Sequence, residues 1–146
     1  MQGRIAGMTR VTLVAATGFA TAFILATAPA HPAPPGTPWK RAEVFATCSG
    51  RLAAVSARQQ AEHDPDWPRT VSQRDMFNLM LEATLPEAIR FGVPRREPVL
   101  WRSAGWSEMA GLLADIAYSG DRGRAERARA ALARRLSDCT GLLLGG

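Results

Sequence analysis

Two cysteines, Cys48 and Cys139, lie roughly 90 residues apart in this 146-residue chain, and each sits within an apolar stripe of helical period. Phe45, Cys48, Leu52 and Val55 recur three, four and three apart, the spacing of one face of an α-helix. Ala125, Ala128, Leu132, Leu136, Cys139 and Leu143 share a sector of about 80° on a second helix. Both stripes must face one core, so the first and last helices are expected to be neighbours with both sulfurs pointing inward. A Cys48–Cys139 disulfide is therefore expected. Closing so long a loop stabilises the fold by about 4 to 5 kcal/mol in the chain-entropy model. The alternative is two free thiols acting as small buried hydrophobes.

Two further helices are read between them. Thr37-Pro38 is a plausible N-cap and N1 pair for the first helix, which ends before Asp64-Pro65-Asp66-Trp67-Pro68. Thr70 with Gln73 reads as a capping box opening the second, whose face holds Phe77, Met80, Leu81, Thr84 and Leu85. Pro86 is expected to end or kink it, leaving 86–97 irregular or with one helical turn around Glu87 to Phe91. The third opens at Pro98 and carries Trp101, Met109, Leu112, Leu113 and Ile116, with Gly105 positioned to allow close helix approach. Ser119-Gly120-Asp121 closes it, and the fourth runs from about Asp121 to Leu144. Four amphipathic helices with short connections predict an all-α fold, a compact antiparallel four-helix arrangement with the disulfide joining the first and last helices.

The first thirty residues read differently. Arg4 and Arg10 precede an uncharged apolar run, Val11 to Ala28, that ends in Ala28-Pro29-Ala30. A basic n-region, an apolar stretch and small residues at −3 and −1 are what an export signal and its peptidase require. Residues 1–30 are expected to be a signal peptide cleaved after Ala30, with Met8 as an alternative start. Residues 31–38 then form a Pro-rich linker, and 39–146 a single helical domain in the periplasm. The competing reading keeps 11–28 as an inner-membrane anchor, at the short end for a spanning helix.

Charge narrows the partners. The chain has 18 Lys and Arg against 13 Asp and Glu. Removing Arg4 and Arg10 leaves +3, far from the footprint of a dedicated nucleic-acid binder. The surplus is concentrated in one run that holds Arg122, Arg124, Arg127, Arg129, Arg134 and Arg135. Arg122, Arg124, Arg127 and Arg134 are a candidate face for a protein partner or an anionic membrane surface, against the alternative of a solvated helix side.

No catalytic set emerges, so a non-enzymatic role without a cofactor is expected. His63 lies among Glu62, Asp64 and Asp66, but at no spacing that a metal motif uses. Met76 and Met80 would suit soft Cu(I), yet helical Met more often fills a core. Gly120-Asp121-Arg122-Gly123-Arg124 lacks the frame of a phosphate loop.

Phe45-Ala46-Thr47-Cys48-Ser49-Gly50-Arg51-Leu52 and Asp138-Cys139-Thr140-Gly141-Leu142-Leu143-Leu144 resemble segments of small exported two-cysteine proteins of alphaproteobacteria. The resemblance implies an exported helical domain and carries no activity. Three readings follow: a periplasmic interaction or accessory protein, a membrane-tethered accessory subunit, or a metal or small-ligand binder.

Overall fold

A computed structural model describes residues 36–144. The signal segment and anchor readings on residues 1–30, and most of the Pro-rich linker, lie outside the described residues. Four helices account for nearly all of them: α1 Pro38–Ala61, α2 Trp67–Arg90, α3 Glu97–Tyr118 and α4 Arg122–Leu144. The all-α antiparallel arrangement expected from the sequence is present. Neighbouring helices in the chain run in opposite directions, as Arg41 meets Glu87 across α1 and α2, and Arg124 meets Asp115 across α4 and α3.

α1 starts as its sequence dictates. The Thr37 hydroxyl accepts a hydrogen bond from the Lys40 backbone N–H, and Pro38 supplies the first helical residue. It is the central helix. Ala42, Ala46, Cys48, Ser49, Gly50, Leu52, Ala54, Val55 and Ser56 are all buried, more than one amphipathic stripe can account for. α2 and α3 pack along its two sides, while α4 rests chiefly on α3 and reaches α1 mainly through side chains and the disulfide.

At the α1–α3 crossing the two backbones approach closely. A Cβ built on Gly50 would lie 2.0 Å from the Arg102 carbonyl oxygen, and one on Gly105 would lie 2.3 Å from that of Thr47. The two glycines therefore meet the opposing backbone reciprocally. The contact joins the first and third helices, the pair that lies diagonally apart in a regular up-down bundle.

Three apolar clusters fill the space around α1. Ala42, Ala46, Leu81, Ala88 and Val93 form the first, with Trp39 and Trp101 tilted against one another at 6.5 Å on its edge. Leu52, Phe77 and the two cysteines form the second. Ala54, Val55 and Met109 form the third, closed by Leu112, Leu132 and Leu136.

Two expectations about α2 are corrected. It begins at Trp67, so Thr70 is inside the first turn and is not an N-cap; its hydroxyl bonds to the Asp66 carbonyl. The turn-forming Pro65 and Pro68 flank the true start, and proline near N1 suits a helix as well as a loop. Pro86 does not end the helix, which continues to Arg90. A proline there deprives the Glu82 carbonyl of its partner, at about 3 kcal/mol. Glu82 is exposed to water, and Leu81 and Ala88 are buried against α1 on either side of the proline, which holds the segment helical. The helix then stops at Gly92, φ +95°, where the Val93 N–H reaches back to the Ala88 carbonyl.

Candidate functional site

α4 is built as two unlike sides. Ala125, Ala128 and Cys139 are buried, with Leu132, Leu136 and Leu143 partly so, which is the apolar stripe read from the sequence. The helix is opened by Asp121, whose carboxylate accepts hydrogen bonds from the Gly123 and Arg124 backbone N–H groups at 2.8 and 3.3 Å. Those donors are the ones a phosphate loop would use, so the Gly120–Arg124 segment is a helix cap.

The arginines occupy the exposed side. Arg124 bonds Asp115 of α3 at 2.7 Å, and that hydrogen bond and charge raise the guanidinium's pKa above its ordinary value. Arg127 approaches Asp121 only at 3.9 Å. Arg122 and Arg134 have no acidic partner among the described residues. Arg124, Arg127 and Arg134 line an open groove of about 420 Å³ between α3 and α4. Leu112, Ala128 and Ala131 supply its apolar wall, and Asp115 its one acid. Arg122, the fourth arginine of the predicted face, is exposed at the helix start and does not line this groove.

Behind this face lies an ion network missed in the sequence. Glu108 of α3 accepts from Arg51 of α1 at 2.8 Å and from Arg135 of α4, tying three helices. Partial burial alone would push its carboxyl up. The two arginines, through hydrogen bonds and charge together, outweigh that and hold it below the usual carboxylate range. Arg51 also extends to within 3.9 Å of the Cys139 sulfur. Its position off the centre of the α1 stripe is what aims it at α3. The signal available was the tight Ala46-x-x-x-Gly50 spacing, which marks a second packed side on α1.

The disulfide is present, Cys48 to Cys139, with Cα atoms 5.6 Å apart and both residues buried. The metal candidates do not assemble. His63 is exposed in the α1–α2 turn at φ 55°, filling the left-handed position that ends α1. Met76 and Met80 border a groove of about 340 Å³ with Leu142 and Leu143, whereas Met109 is fully buried in another cluster. Among the described residues no three His, Cys, Asp or Glu are grouped to hold a metal ion. No described helix is long and apolar enough to cross a membrane. The chain matches no family model, no curated protein and no solved structure.

Proposed function

We propose that this chain is an exported, non-enzymatic interaction protein of the periplasm, released by cleavage after Ala30, that works through the arginine-bearing side of α4. The observation that carries the reading is the groove lined by Arg124, Arg127 and Arg134, where three cations face one acid. A single inter-helix disulfide supports an oxidising compartment, since such bonds persist where thiols are not kept reduced. The basic n-region and the Ala28-Pro29-Ala30 motif support export.

The anchored reading, with 11–28 retained, is separated by intact mass. A mature protein starting at His31 supports release, and a mass that includes 11–28 refutes it. The interaction surface is tested by capture from membranes solubilised in mild detergent at low salt. An association present in the wild type and lost in Arg127→Gln/Arg134→Gln supports the reading. One that survives the double substitution refutes the role of this face.

A further inference from the structure

We propose that the groove between α3 and α4 is a binding site for the phosphodiester headgroups of an anionic bilayer. This rests on the reading above that the arginine side of α4 is the working surface, and it names what that surface touches. Arg127 and Arg134 are seven residues apart, two turns and about 10 Å along the helix, so they project on one side. Ala130 and Ala131 lie between them and leave the passage open. A guanidinium offers a planar fork of donors that matches the oxygens of a phosphodiester. Leu112 and Ala128 form an apolar wall at the depth a glycerol and the first methylenes would occupy.

The composition of the groove selects a bilayer over an acidic protein. Stable protein interfaces are anchored by large aromatic or apolar side chains set in a desolvated centre. The lining here is arginine and alanine with one leucine and Asp115, whose charge Arg124 already pairs, and the exposed Met76, Leu79, Phe91, Val99, Leu100 and Trp106 line no part of it. Dispersed cations with little apolar anchorage fit a surface whose charge is itself dispersed.

The test is flotation of the purified exported protein with vesicles of phosphatidylcholine alone and of phosphatidylcholine mixed with phosphatidylglycerol. The expected result is binding to the mixed vesicles only, lost at high salt. Arg127→Gln/Arg134→Gln should weaken it about 25-fold, roughly fivefold for each arginine. Arg90→Gln/Arg95→Gln, at the exposed turn between α2 and α3, removes the same charge away from the groove and should weaken it less than about twofold, because screening limits distant charge. Equal losses in the two double variants would overturn the groove as the site. So would wild-type binding that is absent, or equal on both vesicle types and indifferent to salt. If vesicle binding fails while a charge-dependent protein is captured from membranes, the lipid inference falls and the interaction reading stands. If both fail, both are wrong.

Discussion

Gly105→Ala and Gly111→Ala are the same chemical change in the same helix, and the structure predicts opposite signs. At Gly105 the new methyl would sit 2.3 Å from the Thr47 carbonyl oxygen and 3.3 Å from the Arg51 nitrogen. The closest comfortable carbon–oxygen separation is about 3.3 Å, so α3 must retreat by about 1 Å. The obstacle is backbone on a buried helix, and no side chain can swing away to relieve it. A gap of that size forfeits a quarter to a half of the dispersion energy of every contact across it, including those of Met109 with Ala54 and Val55. Overpacking of this kind costs about 1 to 3 kcal/mol, and a backbone obstacle belongs at the upper end. Replacing a helical glycine returns about 1 kcal/mol. The net is a loss of about 1 to 2 kcal/mol, a fall in Tm of about 4 to 12 °C for a domain of this size. At Gly111 nothing lies within 4 Å. There only the propensity gain remains, about 1 kcal/mol and a rise in Tm of about 4 to 6 °C. Urea and thermal melts followed by circular dichroism, with the disulfide intact, measure both. Because the two glycines share one crossing, Gly50→Ala/Gly105→Ala should lose less than the sum of its parts. A Gly105→Ala protein as stable as wild type would refute the close crossing.

Replacing both cysteines by alanine should lower stability by about 4 to 5 kcal/mol, because the bond spans 91 residues; urea midpoints check this. Glu108→Gln should cost about 1 to 2 kcal/mol near neutral pH by leaving the mostly buried Arg51 without its carboxylate. The Glu108 carboxyl titrates below its ordinary value in the fold, so its contribution is complete above that value and fades as pH falls through the lowered one. The gap between variant and wild type should therefore narrow in acid, and a gap constant with pH would contradict the pairing. Arg127→Gln/Arg134→Gln should shift stability by less than about 0.5 kcal/mol for each residue, since both side chains are exposed; a large drop in Tm would show this side buried. His63→Gly should raise stability by about 0.5 to 1 kcal/mol by relieving a left-handed residue, read from the same melts.

The stripes on α1 and α4 were legible because each serves one core with large apolar residues at fixed spacing, and the cysteines inherited their direction from Phe45, Leu52, Leu136 and Leu143. The second packed side of α1 was not, because Ala46, Gly50 and Ala54 carry too little side chain to register as hydrophobic. Their smallness is the signal, and it becomes meaningful only beside the glycine of the opposing helix. The Thr70 capping box failed because two prolines nearby suit a helix start as well as a turn. Pro86 was misread because a local penalty was weighed without the packing of Leu81 and Ala88 that offsets it. The arginine side was visible as a run of charge. The groove needed α3 as well, since Asp115 and Leu112 are contributed from another part of the chain.

The disulfide sits 17 residues from the start of α4, near its far end. Between Arg122 and Cys139 the helix is held to its neighbours by Ala125, Ala128, Leu132 and Leu136, by Arg124–Asp115 and by the Glu108 pairing. Ala125 and Ala128 bury little area, so the first turns of this helix should open more readily than the turns around Cys139. At Cys139 the bond keeps the helix tethered to α1 through any local opening. Amide exchange along α4 would then fall into two regimes, fast over the arginines and slow around Cys139. The surface proposed to meet the bilayer is thus free to loosen and resettle while the rest of the fold stays closed.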